Sequence, residues 1–342
     1  MEQNMARAMV EVVVKQAIKS IQDSPERGIR NLVDMALQFS EGSFQKTFFT
    51  ITQTMLQNEN SAYYDLVRET VTHTEPDRLY TFGMNVGYNS CTEGARRIRQ
   101  YEETMNCNIP WTISLELDAQ TFQAARASYD ALIFEGEGLG IYTWMLFAPE
   151  APREAITLAN GHPDSAFCLF CQPGALSAAV LHEAANLNNL MLVVRYEERA
   201  AALCAALRER GLLYSVWYPY GQDDLEVIVS GALFRRAQEL FPLFTILLPV
   251  ENCPQEARRL AYQAVLSARE AQTYHTAVFE FEGDNGLIDS IISDDACSVC
   301  FDKHGDLYPG HKNEDSGPHN LFQSSLTHIL TKVYPKKARN SV

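Results

Sequence analysis

Residues 111–148, which read WTISLELDAQTFQAARASYDALIFEGEGLGIYTWMLFA, decide the fold. Residues 111–117 form an apolar, β-like run, and residues 141–147 form a second one. Between them the apolar residues recur at helical spacing. Asp118 is placed to accept hydrogen bonds from the free N–H groups of the helix's first turn. A strand, a helix and a second strand in this order predict a βαβ unit with parallel strands. Gly136, Gly138 and Gly140 are expected to end the helix and form the turn into the second strand.

The same alternation of strand and helix continues to residue 281. Further strands are predicted at 166–171, 190–194, 212–217, 244–248 and 276–281, and helices at 150–160, 175–187, 198–210, 233–240 and 255–270. A Gly-rich dinucleotide fingerprint is absent, so the repeated βα units favour an open or complete barrel over a Rossmann sheet. The predicted fold is α/β: a partial (β/α)6 TIM-like barrel with an N-terminal helical region and a small C-terminal α+β extension.

The first 75 residues have a helical pattern throughout. Ser24 and Pro25 mark a helix start, because serine caps well and proline fits the first helical position. The polar stretch 72–78, which contains Pro76, is interpreted as a linker, and another helix is predicted at 92–103. The chain is therefore divided into a helical region at 1–105, the barrel at 106–272 and the extension at 273–342.

Composition and charge exclude several classes of protein. The 342 residues include 28 basic and 43 acidic side chains, for a net charge of −15, which argues against a nucleic-acid-binding protein. No secretory signal pattern and no run approaching ~18 apolar residues is present, so neither export nor a membrane span is predicted. Eight cysteines in so long a chain do not make a disulfide framework. The expected protein is cytoplasmic, with reduced thiols.

Two Cys-x-x-Cys pairs are candidate metal ligands. Cys168 and Cys171 fall within a predicted strand, where positions i and i+3 point to opposite faces about 10 Å apart, so one ion cannot bind both. Cys297 and Cys300 precede a predicted tight turn at His304, and these three residues, or the same pair with His311, form an alternative metal site. Otherwise they are small core residues.

Acidic side chains are frequent where the predicted strands end, which is where barrel folds place their sites. They could hold a divalent cation or act as general acid and base, or they could simply cap helices. No phosphate loop, nucleophile elbow or HExxH pair is present. These acidic residues are Glu116, Asp118, Glu150, Glu197, Asp223, Asp224, Glu251, Glu280, Glu282 and Asp284.

Five short motifs stand in an order that is typical of one family. They are Asn108-Ile-Pro-Trp111, Gly138-Leu-Gly-Ile-Tyr142, Phe147-Ala-Pro-Glu-Ala-Pro152, Leu248-Pro-Val-Glu-Asn252 and Phe301-Asp-Lys-His-Gly-Asp-Leu-Tyr-Pro-Gly310. Over roughly residues 104–330 the sequence resembles radical S-adenosylmethionine (radical SAM) proteins that carry a SPASM-like C-terminal extension for auxiliary clusters. The resemblance implies a partial (β/α)6 barrel.

The resemblance also implies chemistry whose ligands are missing here. The family holds a [4Fe–4S] cluster with three cysteines, spaced C-x3-C-x2-C, in the loop after the first strand, and uses it to convert S-adenosylmethionine to a 5′-deoxyadenosyl radical. In this chain residues 118–125 read Asp-Ala-Gln-Thr-Phe-Gln-Ala-Ala, with no cysteine. A [4Fe–4S] cluster is therefore not expected.

Two further family motifs are altered. The family's Gly-Gly-Glu-Pro segment, which meets the methionine amino group, falls at Ala148-Pro149-Glu150-Ala151. From this segment Glu150 alone is carried over, as a pocket residue for cofactor binding. Pro149 also removes a backbone N–H. Where the extension has Gly-Asp-x-x-Pro-Cys, this chain ends the motif at Gly310. These changes call S-adenosylmethionine binding into question.

The resulting hypothesis is a pseudoenzyme: a radical-SAM-like binding or scaffold protein whose partner is a protein or peptide, for example a peptide-modifying radical SAM enzyme or its peptide. The alternative is an enzyme of non-radical chemistry that uses an acidic site at the barrel mouth, with or without a divalent metal. In this site Glu116, Glu150, Glu251 and Glu280 would converge. A third hypothesis is the metal-binding module built on Cys297 and Cys300.

Overall fold

The computed structural model describes residues 2–38, 43–293, 295, 297–308 and 319–336. Within these residues no helix combines the length and the apolar character that crossing a bilayer requires. All eight cysteines lie in the described residues and all are free thiols.

The N-terminal region is helical, as its sequence pattern predicts. Pro76 does not lie in an extended linker: it occupies the first turn of a helix, and Thr74 and Glu75 alone separate this helix from the one before. The helix predicted at 92–103 starts earlier, because a π-helical segment precedes it without a break. The elements are α1 (Glu2–Asp23), α2 (Pro25–Gln38), α3 (Ser43–Met55), α4 (Tyr63–His73), α5 (Pro76–Met84), a π-helix (Asn85–Gly94) and α6 (Ala95–Met105).

A curled sheet of eight parallel strands forms a partial barrel, which confirms the predicted fold class. Its strand order is β7-β6-β5-β4-β3-β2-β1-β8. Seven strands were predicted, the seventh at 276–281, and the sheet contains one more, β8, which was not predicted. Both β7 and β8 come from the segment assigned to the C-terminal extension. The strands are β1 (Thr112–Glu116), β2 (Thr143–Phe147), β3 (Ala166–Cys171), β4 (Leu190–Arg195), β5 (Tyr214–Tyr220), β6 (Phe244–Pro249), β7 (Ala277–Glu280) and β8 (Val299–Phe301).

Helices connect each strand to the next, as parallel pairing requires, and the last helix follows β8. They are α7 (Ala119–Leu139), α8 (Pro152–Gly161), α9 (Ala178–Ala184), α10 (Ala200–Glu209), α11 (Leu225–Val229), α12 (Ala232–Ala237), α13 (Gln255–Ala271), α14 (Phe281–Ile292) and α15 (Leu326–Val333). Short 3-10 turns lie at Pro173–Ala175, Gln222–Asp224 and Gln238–Leu240.

The glycines at the end of α7 act differently from the prediction. Gly136 and Gly138 lie inside the helix, and only Gly140 ends it, with a left-handed φ of 108°. Gly136 is needed for packing rather than for a turn, because a Cβ there would lie 2.7 Å from the ring of Trp144 on β2. The sequence pattern could not separate these two uses of glycine.

The two faces of the sheet differ in what covers them. The thiol of Cys171 on β3 lies close enough to Cys204 on α10 to raise its pKa, so Cys171 faces the outer helices. Alternation along the strand then turns Cys168 and Phe170 toward the barrel interior. The interior is closely packed below the strand ends, since Cys168 and Phe170 are 6% and 1% exposed.

Helix α14 connects the two edge strands and ties the extension to the barrel. Near its C-terminal end, the Asp289 carboxylate accepts a hydrogen bond of 2.9 Å from the backbone N–H of Trp111, just before β1. At its N-terminal end, Phe281 packs its ring against aromatic side chains at the ends of β2 and β3. The helix therefore runs from the C-terminal ends of the strands to their N-terminal ends.

Candidate binding site at the barrel mouth

The connection from β1 to α7 is two residues long. β1 ends at Glu116 and α7 starts at Ala119, so Leu117 and Asp118 form the whole connection. The Leu117 N–H donates to the Phe147 carbonyl at 2.8 Å, and the Asp118 carboxylate accepts from the N–H groups of Gln120 and Thr121 at 3.0 and 3.1 Å. Hydrogen bonding to Thr121 lowers the pKa of Asp118. The strand thus leads directly into a capped helix, with no loop that could carry ligands.

The segment after β2 continues the sheet pairing beyond the strand. The Ala148 N–H donates to the Phe170 carbonyl at 3.0 Å, and the Gln172 N–H donates to the Pro149 carbonyl at 3.3 Å. Glu150 follows with an exposed side chain, immediately before α8. The Ala148 N–H and the Pro149 carbonyl are therefore hydrogen-bonded to backbone at the end of β3. The Pro149 nitrogen has no hydrogen to donate.

An aromatic cluster lies at the interior end of these strands, and we call it the aromatic ladder: Phe147, Phe170, Phe281 and Trp217. Phe147 and Phe170 stack with centroids 4.4 Å apart at 21°, and Phe281 stands edge-on to both at 5.5 and 5.6 Å. Trp217 is edge-on to Phe170 at 6.3 Å. Its indole N–H donates to the Cys171 carbonyl at 3.3 Å, which fixes the ring. Such pairs hold planar rings in defined orientations.

Arg195 extends the ladder on β4. Its guanidinium carbon lies 5.7 Å from the Trp217 ring centroid, a cation–π contact. Arg195 and Trp217 are register partners at the ends of β4 and β5, and both are half-buried. The mouth thus presents a positive charge held over an aromatic surface.

An acidic rim lies on the other side of the mouth, where Glu116 ends β1 and residues after β6 and β8 approach it. Burial raises the pKa of Glu116, and the negative charges of Asp302 and Glu251 raise it further, while the Lys303 backbone N–H and side-chain charge lower it. The Tyr308 hydroxyl, hydrogen-bonded to Glu251, has its pKa raised by burial and by these carboxylates. Negative charge therefore accumulates on this side.

Glu280, a fourth carboxylate named by the alternative enzyme hypothesis, has a structural role. It is 3% exposed, and its carboxylate accepts the Gly283 N–H at 2.6 Å as the N-cap of α14 and the Tyr220 hydroxyl at 3.0 Å. The Glu280 N–H in turn donates to Asp284 at 2.8 Å. Burial raises the pKa of Glu280 to about 7, against these hydrogen bonds. Of the four carboxylates, Glu116 and Glu251 interact, Glu150 is exposed and Glu280 caps a helix.

The two cysteines on the inner face of the sheet, Cys168 and Cys300, do not come together. Strand pairing places Cys168 on β3 and Cys300 on β8 in one row, with Met145 and Ser114 between them. Three strand spacings of about 4.8 Å separate these thiols along the sheet. Burial raises the pKa of both to about 12, so neither is a ready thiolate.

The described residues of the alternative metal site on the extension do not form a cluster either. Cys297 is fully buried, Cys300 is half-buried and His304 is exposed. Across the described part of the chain, no three or more His, Cys, Asp or Glu side chains are grouped as a metal ion would need. His311 and Gly310 lie outside the described residues.

The pairing of Arg195 with Trp217 and the position of Phe281 were not predicted from the sequence. The sequence places the site at the residues that follow each strand. Side-chain alternation indicates which residues of one strand face the barrel interior, as Phe170 does. A strand register is needed to know that Arg195 meets Trp217, and a sequence alone does not supply it.

Comparison with known proteins gives similarity in fold. No protein-family model and no curated protein matches the chain. Among solved structures, it is similar to Streptococcus suis SuiB bound to S-adenosylmethionine, with a TM-score of 0.52 and 11% identity over 72% of this chain and 69% of that one. It is also similar to S. suis SuiB bound to the precursor peptide SuiA, with a TM-score of 0.51 and 10% identity over 73% and 71% of the two chains. At this level of identity the similarity is one of fold: the partial barrel that the motifs implied is shared with SuiB.

Proposed function

We propose that this protein is a radical-SAM-like pseudoenzyme that binds a peptide at the mouth of its partial barrel, alongside a peptide-modifying radical SAM enzyme. The observation that carries the proposal is the two-residue connection from β1 to α7. A [4Fe–4S] cluster with an open iron site needs three thiolates, and Leu117 and Asp118 supply none. The residues present do not fit the cluster.

The surroundings of the mouth support the same proposal. Phe281 packs on Phe147 and Phe170, so aromatic rings fill the space next to the end of β2. The inner-face thiols of Cys168 and Cys300 are on separate strands and are held protonated by burial. A cluster would have to displace packed rings and break the cap at Asp118.

A peptide is the partner that the mouth suits best. Half-buried aromatic rings supply apolar contact, while Arg195 and the acidic rim supply charges of both signs at separate places. Aromatic and arginine side chains dominate the binding energy of many protein interfaces. A structure of SuiB holds a precursor peptide on a similar fold, which is consistent with this partner class.

Anaerobic iron–sulfur reconstitution of the full chain, followed by calorimetric titration with S-adenosylmethionine, tests the proposal. We expect no absorbance from thiolate-to-iron charge transfer and no binding heat. The double variant Cys168→Ser, Cys300→Ser serves as the matched control for iron bound adventitiously to the inner-face thiols. Two results together would refute the pseudoenzyme. They are about four iron and four sulfide per chain, retained in the double variant, and binding of S-adenosylmethionine.

A further inference from the structure

In the part of the chain that the structure describes, no hydrogen bond or ion pair partners the Arg195 guanidinium. Among the described arginines that are at least partly buried, the others all have a hydrogen bond or an ion pair, to residues such as Glu93, Glu69, Glu282 or Asp284. Arg195 has only the face of Trp217.

This is unusual for a guanidinium in an acidic protein. The group carries five N–H donors, and the half-buried Arg195 side chain leaves them open to the mouth. Of the 43 acidic side chains, none among the described residues pairs with it. A bound carboxylate is the planar, bidentate anion that guanidinium fits best.

The surface beside Arg195 favours an aromatic or apolar neighbour for that carboxylate. Trp217 is half-buried with its ring fixed by the hydrogen bond to the Cys171 carbonyl. The half-buried Phe281 lies nearby, and the buried Phe170 packs edge-on against both rings. A ligand with a planar or apolar group next to the carboxylate would cover this surface while its charge meets Arg195.

The packed inner face below the mouth favours a chain end. Met191, Val193 and Ser215 are 3%, 0% and 0% exposed, so the barrel is closed below the ladder. A mouth that is closed from below admits the end of a chain more readily than a segment that must pass through. At the acidic rim, Glu116 and Glu251 repel further negative charge, so one carboxylate is preferred to an acidic tract.

We propose that Arg195 and Trp217 bind the C-terminal carboxylate of a peptide whose last side chain is aromatic or apolar. The carboxylate pairs with the guanidinium, and the last side chain stacks on the indole ring. This inference rests on the proposed function, because it names the part of the peptide that the mouth takes.

Tryptophan fluorescence tests the proposal with a simple probe pair. Trp111 and Trp144 are 6% and 0% exposed, whereas Trp217 is half-buried, so changes in emission and in acrylamide quenching report on Trp217. N-acetyl-L-phenylalanine is compared with its amide, which lacks the charge. We expect the acid to bind about tenfold or more tightly than the amide, as a charge-assisted pair requires.

Two variants separate Arg195 from its surroundings. Arg195→Gln should reduce the acid-to-amide ratio to about one. Arg199→Gln, which changes an exposed arginine in the connection after β4, should leave the ratio unchanged. An unchanged far-UV circular dichroism spectrum shows that both variants fold. Equal binding of acid and amide, no binding of either, or a ratio that survives Arg195→Gln overturns the proposal.

A third probe distinguishes the source of the carboxylate. N-acetyl-Glu-Phe-amide carries its charge on a side chain, and we expect it to bind about as weakly as the phenylalanine amide. Binding as tight as that of the free acid would overturn the assignment to a chain end. These outcomes are independent of iron loading and S-adenosylmethionine binding, so failure of this inference and failure of the proposed function are read from different measurements.

Discussion

Stability should fall between about pH 5 and pH 8 because of Glu280. This buried carboxyl caps α14 and meets Tyr220, and burial raises its pKa to about 7 from an ordinary value of 4.5. A carboxyl with a raised pKa in the folded state binds its proton more tightly there than in the unfolded state. Its stabilising contribution is complete below the unfolded pKa and is lost as the pH rises through the folded pKa.

The size of the effect follows from the two pKa values. At about pH 5 the folded carboxyl is protonated and the unfolded one largely ionised, while at about pH 8 both are ionised. Linkage over that interval gives about 2.5 kcal/mol. Glu280→Gln keeps the shape and an acceptor oxygen but cannot ionise, so it removes this dependence.

Urea unfolding at the two pH values measures it. We expect the stability of the native chain, relative to Glu280→Gln, to drop by about 2.5 kcal/mol between about pH 5 and pH 8. The control Glu282→Gln changes an exposed neighbour paired with Arg258, and its difference from the native chain should stay within about 1 kcal/mol at both pH values. A pH-independent difference between the native chain and Glu280→Gln would refute the assignment of a raised pKa to this carboxyl.

Two further predictions concern how the helical region is joined to the barrel. Gly94→Ala should lower the melting temperature, measured by thermal denaturation, by several degrees, because the new Cβ would overlap the carbonyl oxygen of Gly140. The control Gly83→Ala should be neutral or slightly stabilising, because nothing lies within 4 Å of its Cβ position. Arg78→Met should destabilise the fold to urea by about 3 kcal/mol, since the buried guanidinium donates to three backbone carbonyls. The exposed-site control Arg126→Met should change the urea midpoint little. If the two variants of either pair had equal effects, the structural reasoning for that pair would be contradicted.

Much of the fold was predictable because the local signals agree with one another. The capping carboxylate at Asp118 and the helix start at Pro25 lie where the sequence pattern places them. Parallel strands buried on both faces are continuously apolar, as at residues 166–171, so their positions follow from composition. The strand order, the place of β7 in the sheet and the whole of β8 were not predicted, since they depend on pairing between residues far apart in sequence.

The site was predictable in place but not in content. The absence of cysteine after β1 can be read directly from residues 117–125, and the structure adds that the connection is too short for a ligand loop. The alternative enzyme hypothesis required four carboxylates to converge, whereas Glu280 caps a helix and Glu150 is exposed. The contact of Arg195 with Trp217 depends on the register of β4 and β5, which period-2 patterns leave open.

The most direct test of the pseudoenzyme proposal is the formation of 5′-deoxyadenosine. The full chain is reconstituted anaerobically, reduced with dithionite and incubated with S-adenosylmethionine, and the product is quantified by chromatography. Because the connection after β1 supplies no thiolate, we predict no 5′-deoxyadenosine above that of a protein-free control. Formation of one or more equivalents per chain would contradict the account.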